Sequence, residues 1–328
     1  MNGYIASLLL FCAIALLAPL TASAVTIPTV PVGNPGNAGD TVVMGDGTTG
    51  YGSVPYNYRI GTYEVTNAQY VEFLNAKAAA SDPLGLYNAN MGSGLGGISR
   101  IGSSGSYTYF PTGFRHNMPV NFVSWYDSLR FANWLSNNQG SGDTETGAYT
   151  LLGGTPTPTN GLSITRNAGA TWFLTSENEW YKAAYYNHGS SSYFLYPTSS
   201  NTTPTGSSPT ALPNHANHRT GGPNDLTNVG AYTASASPYG TFDQGGNLYE
   251  WNEALRISNS FRGLRGGSYF LGDVFLESSV RSFSDPASEG VATGFRVAFV
   301  PEPSSFVLAA LGLIGLVVWG WRRTRSGR

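Results

Sequence analysis

The sequence predicts an α+β body of about three helices, short strands and long aromatic-studded loops. Three observations carry that reading: separate helix-capping signatures, short alternating segments cut by turn residues, and a glycine- and tyrosine-rich composition poor in charge. The 328 residues include 42 Gly and 20 Tyr, and 41% are hydrophobic. Only 11% are charged, against roughly 25% in an average soluble protein. A chain of this length and apolar content buries a full-sized core.

Residues 25–55 alternate apolar positions with Gly, Pro and Thr, which predicts short opening strands and turns. A strand-like run, Tyr58 to Val65, leads to Thr66, with Gln69 three residues on to complete a capping box and Val65 and Tyr70 placed as a hydrophobic staple. The helix runs through Phe73 and Leu74 until Ser81-Asp82-Pro83. The stretch from Gly92 to Gly105 reads as an exposed loop. Ser124 with Asp127 starts a second helix, on which Trp125, Leu129, Ala132 and Leu135 share a core-facing side. Ser176 and Glu179 start a third, with Trp180, Ala183 and Ala184 turned inward. After Asn187 apolar runs are few, and Pro197 to Pro213 reads as an insertion loop. No internal repeat or linker divides the body.

Both ends differ in kind from this body. Residues 1–24 carry no charged side chain and run LLLFCAIALLAPL into Ala22-Ser23-Ala24, an apolar stretch followed by a small-residue cleavage site. Cleavage before Val25 is expected, the alternative being an uncleaved anchor. The only cysteine, Cys12, leaves with that segment, so the mature chain is expected to have no disulfide, thiolate ligand or cysteine nucleophile. At the far end, residues 301–328 place Pro301-Glu302-Pro303 before sixteen apolar residues, 306–321, and then Arg322, Arg323 and Arg325. Sixteen residues reach about 24 Å as a helix, just short of the roughly 30 Å bilayer core, so Pro303 to Ser305 or a thin membrane must help. The arginines orient the span with the C-terminus inside and the body outside. Four of the 17 basic residues lie in this tail against one of the 19 acidic, leaving the body 13 against 18, a net charge of −5. That balance excludes a nucleic-acid binder.

In order along the body stand YEVTNAQYVEFLNA, MPVNFVSWYDSLRFANWLS, FLTSENEWYKAA, YGTFDQGGNLYEW, LRGGSYF and GFRVAF. This series over residues 58–299 resembles the sulfatase-modifying-factor, or formylglycine-generating-enzyme, family. The resemblance implies a variant of the C-type-lectin-like fold over residues 25–300. The tail, with its Pro-Glu-Pro, span and arginines, resembles the PEP-CTERM sorting signal of Gram-negative bacteria, which implies an exosortase-type processing partner; a simple tail anchor is the plainer reading.

Catalytic members of the family carry two copper-binding cysteines shortly after the LRGGSY motif, and the matching positions here are Leu271 and Leu276. A leucine neither binds copper nor forms a thiolate. No copper is therefore expected, and both leucines are expected to fill the vacated space as packing. Arg265, Ser268 and Arg296 belong, by the resemblance, to the floor of the family's groove. It also implies a structural calcium at Asn247 and Glu250, where hard oxygen donors come from one loop, with a second near Asn217 and Asp225. An Asn247 loop cap and an ordinary hydrogen bond of Glu250 are the alternative. The pair His215 and His218 reads as loop residues, and no spacing among Glu250, Asp243, Asp273 and Glu277 singles out an acid and base.

The function expected is that of an exported envelope protein, non-catalytic, holding a ligand such as an exopolysaccharide or serving structurally. An enzyme of the same family with a different centre is the alternative.

Overall fold

A computed structural model describes residues 24–256 and 260–301. The signal segment with Cys12, Glu302 and the span at 306–321 lie outside the described residues, among which no helix is long and apolar enough to cross a membrane.

The chain opens with β1 (Thr29–Val32), which pairs antiparallel with β2 (Tyr58–Gly61). Helix α1 (Asn67–Lys77) follows the expected cap: the Thr66 hydroxyl accepts from Gln69 N–H, and the Gln69 side chain accepts from Thr66 N–H at 2.9 Å. It ends at Ala78, before Pro83 is reached. Four residues of the expected glycine-rich loop form strand β3 (Ile98–Ile101), paired with β4 (Thr108–Pro111). Ile98 is buried there, because a partner ten residues on supplies the ladder that local composition does not advertise.

Helix α2 (Trp125–Ser136) carries the Ser124–Asp127 box, and eleven of its twelve residues are buried, so it runs through the body's centre rather than along one side. Strand β5 (Trp172–Leu174) precedes α3 (Glu177–Tyr185), again boxed as expected by Ser176 and Glu179. Two minor pairs follow, β6 (Tyr186–Asn187) with β7 (Ser192–Tyr193), and β8 (Thr205–Gly206) with β9 (His215–Ala216).

Two longer strands, β10 (Tyr249–Arg256) and β11 (Phe261–Arg265), then form a hairpin with a bulge between Trp251 and Leu255. Strand β12 (Ser282–Ser284) joins its outer side and β13 (Thr293–Gly294) its inner one, in the order β12-β11-β10-β13. Finally β14 (Val297–Phe299) inserts between β2 and β5, giving the order β1-β2-β14-β5. The last strand thus stitches the ends of the body together. One large cluster, including Phe73, Trp125, Phe131, Trp251 and Phe295, lies between α1, α2 and the two sheets.

Candidate functional site

Beneath the turns that flank β10 and β14 lies a buried ion pair. Arg296, fully buried, grips Glu250 with two prongs, Nε to Oε2 and Nη2 to Oε1, each 2.5 Å. Its remaining N–H groups reach Gly61 O at 3.0 Å and Phe242 O at 2.9 Å. Trp180 Nε1 donates to Glu250 Oε2 at 2.7 Å. Burial pulls Arg296 toward neutrality, but the Glu250 carboxylate prevails and holds its pKa above the ordinary value. Arg265 is handled alike: Nε donates to Glu177 at 2.6 Å, Nη1 to Ser278 O and Val280 O, and its guanidinium lies over the Tyr181 ring. Both arginines are structural ties between loops rather than open to a ligand.

The turn after β11 carries the other groove candidates. Ser268 is fully buried, and its carbonyl accepts from Leu271 N–H at 3.0 Å. Leu276 packs with Tyr196 and Ala216 at no exposure. Gly267, at φ +72°, sits so close that a Cβ there would lie 2.9 Å from Leu276 Cδ1. Leu271 departs from the expectation that both leucines fill the interior. It is only half-buried, because the turn closed on Ser268 sends residues 270 and 271 outward, and Phe270 is 60% exposed. Two hydrocarbon side chains, one sealed and one at the surface, do not fit a thiolate copper centre.

The calcium donors fit unevenly. Both Glu250 oxygens are engaged by Arg296 and Trp180, so Glu250 is not free to ligate. Asn247, left-handed at φ 56°, uses its Oδ1 to accept from Asn217 and from Thr227 N–H. Before it, Gly246 leaves room for the Asn217 carbonyl, which a Cβ would approach to 2.2 Å. Asp225 pairs with Arg115 through one oxygen and accepts Leu226 N–H with the other. Of these four candidate donors, Asn217 is the one whose Oδ1 is buried without a partner among the described residues, the kind of oxygen a hard cation takes.

His215 and His218 do not converge: one meets Ser207 Oγ, the other donates to Pro204 O from a buried position. Among the described residues no three His, Cys, Asp or Glu side chains are grouped to hold a metal.

Sequence reasoning missed two polar features. Glu64 is 2% exposed, and neither carboxylate oxygen has a partner among the described residues. Burial, then the nearby Asp243 and Glu250, push its pKa well above the ordinary carboxylate range, while burial takes Asp243 up to about 6. The signal was an acid set between Tyr63 and Val65 in a strand-like run. Glu64 borders a cavity of about 420 Å³ whose rim carries Tyr63, Gln69, Asn117 and Asn228. The second feature is Arg166, whose Nη2 bridges Glu179 at 2.7 Å and Glu253 at 2.8 Å while Tyr56 and Tyr149 cap the far oxygens. Burial raises Glu179, but Arg166 more than offsets it and the net pKa is lowered; for Glu253 burial wins and the pKa is raised. Glu179 serves the α3 cap with the same carboxylate.

The model of the sulfatase-modifying factor enzyme 1-like domain matches residues 37–300, most of the chain. The chain belongs to that family. Residues 299–324 match the PEP-CTERM protein-sorting motif. That motif marks exported proteins held at the membrane through the C-terminal segment, with the body outside the cytoplasm and an exosortase as processing enzyme. Among solved structures, the chain is similar to Treponema denticola variable protein 1, at 18% identity and a TM-score of 0.55, over 86% of this chain and 98% of that one. It is also similar to CarF, at 21% identity and a TM-score of 0.52, over 84% and 99%. At those identities the likeness is one of fold, and it agrees with the coil-rich α+β body of the family. No curated protein sequence matches the chain.

Proposed function

We propose that this exported member of the sulfatase-modifying-factor family is non-catalytic and holds a ligand, a neutral glycan of the cell envelope, on its outer body. The observation that carries the first half is Leu276, which closes one of the two copper-ligand positions with fully buried hydrocarbon. The glycan reading is supported by the cavity lined by Tyr63 together with the exposed amide residues Asn117 and Asn228. Amides that both donate and accept, next to a ring face, match the alternating hydroxyls and C–H faces of a sugar. A structural calcium belongs to the proposal at the Asn217–Asp225 loop, on the strength of the unpartnered Asn217 Oδ1.

A sulfatase-type peptide incubated with the purified protein, copper and reductant is expected to show no aldehyde product by mass spectrometry. Turnover above the copper-only background overturns the non-catalytic reading, whereas activity gained only in the Leu271→Cys, Leu276→Cys double variant supports it. On a glycan array the protein should bind, and Asn117→Ala with Asn228→Ala should abolish that binding; an array with no signal removes the glycan. A chelator that leaves the melting temperature unchanged removes the calcium.

The second reading, an enzyme with another centre, is favoured by one observation: the buried Glu64 and the partly buried Asp243 hold raised pKa values near one another, as catalytic acids do. Copper or iron in the purified protein would favour it.

A further inference from the structure

The backbone of Val25 is held at both its polar groups by one side chain 114 residues away. Val25 N–H donates to Gln139 Oε1 at 2.6 Å, and Gln139 Nε2 donates back to Val25 O at 2.9 Å. Gln139 is aimed by an unusual turn at the end of α2. Asn138 and Gln139 both stand in the left-handed region at φ 61°, where non-glycine residues are uncommon. Trp134, 2% exposed, braces the turn from inside: its carbonyl accepts from Gln139 N–H at 2.8 Å and its ring nitrogen donates to Gly140 O at 3.0 Å.

Among the described residues, contact between the leading segment and the body starts at this point. Val25 and Ile27 pack against the core, while Ala24, Thr26 and Pro28 are exposed. Downstream, Gln69 donates to Thr26 O at 3.0 Å and Thr62 N–H to Pro28 O at 2.8 Å, leading into the β1–β2 ladder. Of the described residues, a cut on the N-terminal side of Val25 removes only the exposed Ala24, which makes none of these bonds. A cut one residue later removes both partners of Gln139.

We propose that Gln139 and the turn behind it form a socket for the mature amino terminus, created when a signal peptidase hydrolyses the Ala24–Val25 amide. In that step water supplies a hydroxyl to the Ala24 carboxyl group and a hydrogen to the Val25 nitrogen, which takes a further proton at neutral pH. The resulting ammonium keeps the bond to Gln139 Oε1, now charge-assisted, and turns its other N–H groups to the solvent on the side where Ala24 stood. The socket accepts the uncut chain as an amide and holds the cut chain more tightly. It therefore makes processing a stabilising event for the first strand and, through β1, for the edge of the sheet that β14 closes.

The test uses the full chain, exported and purified from producing cells. Amino-terminal sequencing is expected to begin Val-Thr-Ile-Pro, and any other first residue overturns the proposal. Melting is then followed from pH 6 to 10. An α-amino group ordinarily titrates at about 7.7–8.0. A folded-state partner raises that value, so its stabilisation is present below about pH 8 and is lost as the pH climbs through the raised one. Gln139→Glu gives up the Nε2 donor to Val25 O at every pH, so the gain is read as a pH difference: relative to the natural protein the variant should melt about 2 °C higher at pH 6–7 than it does at pH 10, the shift expected of one charge-assisted bond in a body of this size. A second variant carries a threonine inserted between Ala24 and Val25, which moves the ammonium one residue away and leaves an amide in the socket. There Gln139→Glu should bring no gain. An equal gain with and without the insertion, or none in the natural context, sinks the proposal.

Discussion

Arg296→Ala removes the guanidinium that occupies both oxygens of Glu250. What remains is a carboxylate at no exposure with one donor, Trp180 Nε1, and carbonyls of Gly61 and Phe242 that have lost theirs. Breaking one side of a buried ion pair destabilises by about 3–5 kcal/mol, chiefly because the surviving charge stays desolvated. At about 2.1 cal/mol/K per residue, a body of roughly 280 residues unfolds with an entropy near 0.6 kcal/mol/K, so the melting temperature should fall by about 5–9 °C. Differential scanning fluorimetry and equilibrium urea melts read this directly. Removing the orphaned charge as well, in Arg296→Met with Glu250→Gln, should recover a good part of the loss, since the penalty lies in the unpaired ion more than in the missing bond. A drop of less than about 1 °C in the single variant, or a double variant no better than the single, would refute the account of this site.

Glu64→Gln should raise stability at pH 7–8 and make little difference near pH 4. A carboxyl whose folded pKa is raised loses stabilisation as the pH climbs from its unfolded value toward the folded one, and the amide does not titrate; a variant less stable than the natural protein at pH 8 would show that Glu64 has a partner. Leu276→Ala should cost about 2–5 kcal/mol and Leu271→Ala less than about 1, as their burial differs; equal losses in urea melts would contradict the placement of the turn. Deleting residues 301–328 should move the protein from the membrane fraction to the medium, by immunoblot, because the sorting motif lies there; retention in the membrane would point to another anchor.

Local chemistry made the three helix starts legible, since each capping box joins residues only three apart, and the helices begin at Asn67, Trp125 and Glu177 as those boxes require. The family was legible for a related reason: its motifs are turns and caps whose residues are dictated by backbone geometry, as at Gly246 and Gly267, where a Cβ would strike Asn217 O or Leu276. That leucines stand at 271 and 276 was legible because it is a matter of identity at two positions.

Pairing was not legible. Ile98 belongs to a strand because of Pro111 and its neighbours, and β10 with β11 pairs the two longest strands among the described residues in a stretch without apolar runs. The role of Glu250 shows the limit best. From sequence alone its carboxylate could face a calcium ion or a hydrogen-bond donor, and only the arrival of Arg296, forty-six residues on, decides the matter. Likewise Leu271 and Leu276 are the same residue type five apart, yet one is sealed and the other half-exposed. By itself the sequence determined where helices begin, which family the body joins and that leucines stand at 271 and 276, because those depend on near neighbours and residue identity. Which acids are paired, which are orphaned and what lines the cavity were decided by tertiary structure, because burial and partnership come from residues far apart in the chain.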